Sequence, residues 1–320
     1  LDLMRTDGDW LTENIDSPEV ARDAILVDVA AMPLADLNQG LRTAKRRMAL
    51  LVALADLGGV WPLETVTKAI TDLADGAVDT CIRRLVAAEI ARGKLPRMDE
   101  TDAQTSGGMV ALSMGKQGAY ELNYSSDIDL ICLFDETRFA PDDYHDARAA
   151  FIRVTRKMTS ILSDLGAGGY VFRTDLRLRP DASVTPVCLS METAERYYES
   201  VGRTWERAAY IKARASAGDI KAGEGFLRTL TPFVWRKHLD FAAIQDAHDM
   251  RLRIRDHKGL GGKLSLPGHN MKLGRGGIRE IEFFTQTRQL IAGGRDPSLR
   301  ARGTCDGLDA LVAANWVPDD

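Results

Sequence analysis

Cysteine and histidine are scarce. Four cysteines (Cys81, Cys132, Cys188 and Cys305) stand far apart with no CxxC pair, and five histidines are scattered through 320 residues. That spacing argues against a structural zinc site or a disulfide scaffold, and isolated thiols fit a reducing cytoplasm. Long apolar runs are also missing. Asp, Arg or Lys interrupts the hydrophobic stretches well before the roughly 20 residues that a membrane-spanning helix needs. A basic excess is missing too: 42 Lys and Arg face 46 Asp and Glu, a net charge of −4 with pI ≈ 5.8. Bulk charge therefore recruits no nucleic acid, and no basic, aromatic-rich tract makes up for it. The opening residues, Leu1-Asp2-Leu3-Met4-Arg5, lead into acidic and polar positions rather than a signal-peptide core. With no initiating Met, the chain reads as an excised piece of something longer.

What is present is a soluble globular composition, 45% hydrophobic and 28% charged. The 320 residues are about twice a common domain length of roughly 150, which predicts two structural units. Residues 18–96 carry helical periodicity, with Leu34, Leu37, Leu41, Ala44, Met48, Leu51 and Leu54 at three- and four-residue steps. The interleaved Arg42, Lys45, Arg46 and Arg47 read as the solvated face of that helix. Trp61-Pro62-Leu63-Glu64 opens another helix, with Pro62 near its first turn.

Residues 97–107 are polar and rich in breakers, and the pattern then changes. Met109 to Met114 is strand-like and closes on Gly115-Lys116. Asp129 to Asp135 is apolar on both faces, as an interior strand would be. Residues 143–165 form a helix, and Tyr170 to Pro180 alternates as a third strand. That order is an α/β or α+β core. Helix returns from Ser190 through Tyr197, Tyr198, Trp205 and Ile211. Residues 224–258 repeat the helical pattern with Phe241, Ile244, Leu252 and Ile254. A glycine-rich loop from Gly259 to Gly268 precedes a last helical pair between Ile278 and Trp316. The expected organisation is a helical lead-in over 1–97, a core over 98–220 and a helical region over 221–320.

The sharpest chemical feature is Asp127-Ile128-Asp129 at the head of the apolar strand. Alternation points positions i and i+2 the same way, so both carboxylates face one side. Two like charges that close raise each other's pKa unless a cation lies between them, and a hard divalent ion with oxygen ligands suits the place. The alternative is a solvated pair or a cap. Upstream, the glycine of Gly115-Lys116 lets backbone N–H groups approach a phosphate, and the lysine adds charge. Downstream, period two puts Arg173, Asp175, Arg177 and Arg179 on one face of the third strand. A third carboxylate among arginines suits a metal site that also holds phosphates; the other reading is an Asp–Arg ladder on an exposed face.

Gly115-Lys116, ten residues, then Asp127-Ile-Asp129 before a strand resembles the nucleotidyltransferase fold of the DNA polymerase β superfamily, with Asp175 as the third acid. Glu121-Leu-Asn-Tyr-Ser-Ser-Asp-Ile-Asp-Leu130, Asp175-Leu-Arg-Leu-Arg-Pro-Asp181, Trp205-Glu-Arg207, Ile211-Lys-Ala-Arg214 and Lys272-Leu-Gly-Arg-Gly-Gly-Ile-Arg-Glu-Ile-Glu-Phe283 sharpen the match. Together they resemble the family of bifunctional glutamine synthetase adenylyltransferase/adenylyl-removing enzymes over nearly the whole chain. Glu121 to Ser126, Phe233 to Lys237 with Leu239 to Ala242, and Ile291 to Pro297 resemble its N-terminal, adenylyl-removing half. Gln117 and Tyr120 stand where Leu and Arg or Gly are more usual, and Ala215-Ser216 replaces a usual Pro-Val. These departures touch fine substrate contacts rather than the reaction.

The resemblance implies an α+β core, a mixed sheet with flanking helices. It implies phosphorolysis: phosphate attacks the AMP on a tyrosine of glutamine synthetase, releasing ADP and the unmodified subunit. It implies Mg²⁺, with Mn²⁺ as the alternative, on Asp127, Asp129 and Asp175, in a two-metal arrangement with ions roughly 3.5–4 Å apart. Phosphate and nucleotide contacts are expected from Gly115, Lys116, Ser126, Arg177, Arg179, Lys212, Arg214, Lys272 and Arg275. For Lys272 and Arg275, the glycine-rich turn either serves phosphate or merely starts the following helix. Glu280 and Glu282 either contact the site or pair with nearby arginines, and Glu206 either bridges to Arg207 or positions a basic residue. Glutamine synthetase is the implied protein substrate, ADP or ATP and phosphate the small molecules, and a P-II nitrogen-signalling protein the implied regulator. The competing readings are adenylylation from ATP on the same fold, another nucleotidyltransferase, and a non-catalytic regulatory module.

Overall fold

The computed structural model describes residues 5–237 and 267–318. Apolar spacing builds the lead-in as helices α1 (Gly8–Asn14), α2 (Pro18–Ala31), α3 (Leu37–Leu57) and α4 (Leu63–Ala91). Pro62 is the extended N-cap of α4, where its missing N–H costs nothing. Leu37, Leu41, Met48 and Leu51 of α3 and Ile70, Leu73, Val78 and Ile82 of α4 are buried in one core, each such side chain contributing roughly 1.5–3 kcal/mol.

After the short α5 (Glu100–Gln104), closed by an Asp99–Asp102 capping box, the chain forms β1 (Met109–Ser113), α6 (Gly115–Gly118), β2 (Ile128–Phe134) and α7 (Tyr144–Ser163). It continues through β3 (Thr174–Asp175), β4 (Cys188–Ser190), α8 (Met191–Ser200), α9 (Thr204–Ile211) and β5 (Arg214–Gly218). The remaining described helices are α10 (Ile220–Thr229), α11 (Thr231–Val234), α12 (Ile278–Ala292) and α13 (Thr304–Ala313).

Among the described residues five strands make one mixed sheet, the expected α+β arrangement. β1 lies antiparallel between β2 and β5. The other edge of β2 is shared: its start pairs in parallel with β3, its end with β4. α7 covers the sheet, with Phe151 stacked on Phe134 at 4.9 Å. No helix among the described residues is long and apolar enough to cross a membrane.

The chain forms two compact units. One runs to Arg196 and includes Arg214–Arg228; the other holds Tyr197–Ala213 and the described residues from Thr229 onward. In the second, Tyr198 meets Tyr210 and Phe233 with ring centroids 5.0 and 5.2 Å apart, and Ala292, Leu299 and Leu311 form a small core of their own.

Three expectations need correction. The strand foreseen over 170–180 is only two residues long, because β4 takes over the edge of β2 beyond Asp129 and leaves β3 nothing further to pair with. β4 and β5 carried no local signal. β5 is Arg-Ala-Ser-Ala-Gly, small because α10 crosses it: a Cβ on Gly223 would stand 2.6 Å from Val110 and 2.8 Å from Ala215.

The third correction concerns the basic run of α3, which is an internal face rather than a solvated one. Arg42 is buried and donates to the carbonyls of Asn38, Asp164 and, at 2.8 Å, Gly169. Arg46 and Arg47 both pair with the buried Asp7. The Lys45 ammonium sits 4.0 Å from the Phe172 ring centroid, and burial pushes its pKa down to about 8. Of the helical pattern over 224–258, α10 and α11 account for the described part; Phe241, Ile244, Leu252 and Ile254 lie outside the described residues.

Candidate active site

Strand directions bring one end of β1 together with the starts of β2, β3 and β5. Ser113, the last residue of β1, is opposite both Leu130 and Arg214, and Asp129 is opposite Asp175. The expected Gly115, Lys116, Asp127, Asp129, Asp175 and Arg214 therefore gather at one end of the sheet, although they span a hundred residues of sequence.

Asp129 and Asp175 are direct neighbours on parallel strands, a pairing locked by the Ile128 N–H donating to the Arg173 carbonyl at 2.8 Å. Asp127 precedes Asp129 by two positions, its side chain 59% exposed. Ser126 closes the turn that delivers it: its Oγ donates to Asn123 Oδ1 at 2.8 Å. Gly115 has φ +52°, and a Cβ there would stand 3.2 Å from Asp129 Oδ2. Backbone conformation and space both call for glycine at that position.

Cationic groups surround the acids. Arg177 grips Asp175 through its backbone N–H at 2.8 Å and its guanidinium fork. Hydrogen bonding from Arg177 holds the Asp175 carboxyl below its ordinary pKa, against the opposing effect of burial. The guanidinium is in turn raised by Asp175 first, with attraction from Asp129 and Asp127 added, so all three carboxylates act on one cation. Arg173 donates to the Ser125 carbonyl at 2.6 Å and lies 3.7 Å from the Asp127 carboxylate.

Three carboxylates from adjacent strand positions form an all-oxygen donor set, the kind that holds Mg²⁺ or Mn²⁺. As they stand, no three His, Cys, Asp or Glu side chains among the described residues close tightly enough to grip an ion; the acids gather about Arg177 instead. That side chain is 84% exposed. The residues fit such a cation in chemistry and in strand placement.

Other expected contacts are engaged differently. Arg179 does not share a strand face with Asp175. It donates to the carbonyls of Leu176, Ala182, Thr185 and Pro186 at 2.8–3.0 Å, using four of an arginine's five N–H groups to hold its own loop. Lys212 belongs to the second unit, where it is 3% exposed and bound to Glu282 at 2.8 Å and Thr304 at 3.1 Å. Glu282 therefore pairs with a lysine. Lys272 and Arg275, also of the second unit, are exposed on the turn ahead of α12, and there the Gly276 N–H donates to Glu280 at 2.9 Å. Glu206 caps α9, accepting from the Arg203 N–H at 2.7 Å.

Arg214, the first residue of β5, meets a partner the sequence did not single out. Asp75, in the middle of α4, lies 2.6 Å from its Nη2. Burial raises the Asp75 pKa, and Arg214 and Gln117 pull it back. Tyr120 was noticed only as a departure; its ring lies 4.1 Å from the Arg214 guanidinium. No local pattern could have marked Asp75, because its partners come from three other segments.

A family model described as glutamate-ammonia ligase adenylyltransferase matches residues 11–229, and one described as GlnD PII-uridylyltransferase matches residues 243–320. The chain is 53% identical over 283 residues to the bifunctional glutamine synthetase adenylyltransferase/adenylyl-removing enzyme of Bradyrhizobium sp. (strain ORS 278), covering 88% of this chain and 29% of that protein. Proteins of the same name from Bradyrhizobium diazoefficiens and Agrobacterium fabrum are 52% and 49% identical over 299 and 297 residues, each covering 93% of this chain and 29% of the relative. The chain thus spans less than a third of the length of these relatives.

Proposed function

From a chain that belongs to the glutamate-ammonia ligase adenylyltransferase family, we propose a cytoplasmic enzyme that removes AMP from an adenylylated tyrosine of glutamine synthetase by phosphorolysis, yielding ADP. The observation that carries the reading is the register pairing of Asp129 with Asp175, with Asp127 two residues ahead. The match of residues 243–320 to a PII-uridylyltransferase description supports a P-II signalling protein as regulator.

The chemistry asks for little base catalysis. The leaving group is a phenolate, whose parent acid has a pKa of about 10, and the attacking phosphate is already an anion. The difficulty is to bring two anions together, so positive charge matters most. Lys116, Arg177 and Arg214 supply it at the sheet end that carries the acids. Asp175, kept ionised by Arg177, orients the attacking phosphate oxygen, and Gly115 leaves room beside Asp129. Mg²⁺ or Mn²⁺ on Asp127, Asp129 and Asp175 would supply further charge to the phosphoryl oxygens.

The test has two arms. Incubated with adenylylated glutamine synthetase, phosphate and Mg²⁺, the chain is expected to release ADP. With unmodified glutamine synthetase and ATP it is expected to transfer no AMP. AMP transfer in the second arm without ADP release in the first would reverse the assignment, and turnover in neither would favour a regulatory module.

A further inference from the structure

Asp75 leaves the lead-in helix α4 and enters a polar cluster beside the site. It accepts from Arg214 Nη2 at 2.6 Å, Gln117 Nε2 at 2.9 Å and Ser113 Oγ at 3.4 Å. Ser113 Oγ is in turn 2.5 Å from Ser216 Oγ. The cluster is largely closed to water: Gln117 is 1% exposed, and the side chains of Arg214 and Asp75 are 13% and 16% exposed.

Two features set it apart from a stabilising ion pair. Gln117 Oε1 and Arg214 Nε are buried with no hydrogen-bond partner. Unpaired buried polar atoms cost stability, and an apolar core of the same shape commonly does as well or better. Tyr120, whose ring covers Arg214, holds φ +60°, a left-handed conformation that a bulky residue adopts only under constraint and that tends to occur at functional sites.

We propose that Asp75 is a positioning residue for nucleotide binding: its ion pair holds the Arg214 guanidinium against Tyr120, aimed at the phosphates of a nucleoside diphosphate at the sheet end that carries Asp129. This rests on the nucleotidyl-transfer reading above. Arg214 Nη2 is shared between Asp75 and the Gln117 carbonyl, the latter at 3.2 Å. Among the described residues Nη1, like Nε, has no hydrogen-bond partner, so donors remain on this guanidinium for an anion.

The test is ADP binding to the full 320-residue chain, followed by calorimetry with Mg²⁺, for wild type, Asp75→Asn, Arg214→Ala and the double variant. Each single change is expected to weaken ADP about tenfold, and Asp75→Asn is expected to add nothing once Arg214 is gone, as required of a residue that acts through another. Unchanged affinity in Asp75→Asn overturns the proposal, as does a full additional loss in the double variant. If Asp75→Asn does not fold, Tyr120→Ala takes its place; Tyr120 is exposed, and removing its ring is expected to weaken ADP at least threefold, with unchanged affinity again overturning the proposal. Wild-type chain that binds no ADP removes the nucleotidyl-transfer reading and this inference with it. Wild type that binds ADP, with Asp75→Asn binding it equally, removes the inference alone.

Discussion

Two basic clusters flank the segment that carries Asp175, and they do opposite work. On α3, Arg42, Lys45 and Arg46 face inward onto carbonyls, an aromatic ring and a buried carboxylate. After β3, Arg177 spreads over a carboxylate at the surface, 84% exposed. The first cluster holds chain, since Arg42 ties Asp164 and Gly169 into the loop that leads to Phe172 and Asp175. The second holds charge. A buried guanidinium that satisfies carbonyls stabilises because its removal strands them; an exposed one contributes little to stability and is free to exchange one anion for another.

That contrast can be broken or sharpened by measurement. The largest effect belongs to the acids. Asp129→Asn and Asp175→Asn are expected to cut ADP release from adenylylated glutamine synthetase by at least about a thousandfold with little change in melting temperature; near-normal phosphorolysis in either would remove the carboxylate mechanism. Next comes the buried cluster: Arg42→Ala is expected to cost about 2–4 kcal/mol in denaturant unfolding, through stranded carbonyls and lost packing. A loss under about 0.5 kcal/mol would put Arg42 with the surface charges.

Lys45 gives a pH signature. Its pKa in the fold is about 8 against an ordinary 10.5. Between those values the unfolded chain binds a proton that the folded chain has released, so stability rises with pH across that window and is flat below it. Lys45→Met lacks this rise. Its stability advantage over wild type near pH 7.5 is expected to shrink by up to about 3 kcal/mol by pH 10.5, read from urea unfolding at both ends. Parallel profiles for the two proteins would mean that the ammonium is well solvated.

The smallest stability effect is expected at Arg177. Arg177→Ala should leave the melting temperature nearly unchanged yet move the acidic limb of the activity profile to higher pH, because Asp175 loses the partner that holds its pKa down. An unmoved limb would detach Arg177 from the working acid.

Legibility in the sequence followed range. The Asp127-Ile-Asp129 spacing, the strand behind it and helices α3, α4 and α7 were readable because each depends on neighbours within a turn or a strand. The strand over 170–180 was over-read: Arg173, Asp175 and Arg177 alternate by residue type, but pairing stops where β4 claims the edge of β2. β5 was missed because its residues are small, Ala215 lying against Gly223 of α10, and smallness carries no periodic signal. Arg179 and Arg214 looked alike on paper, yet one clamps its own loop and the other answers a carboxylate 139 positions earlier in the chain.

Residue order alone was enough to single out the three acids of the proposed reaction, the helical lead-in and the family, since these are written in local spacing and ordered motifs. Which cations are buried, which carboxylate each one meets, and that Asp75 of the lead-in stands against Arg214, Gln117 and Ser113 were settled only by folding. Charge has no period, and its environment is made by segments distant in sequence that packing brings within a few ångströms.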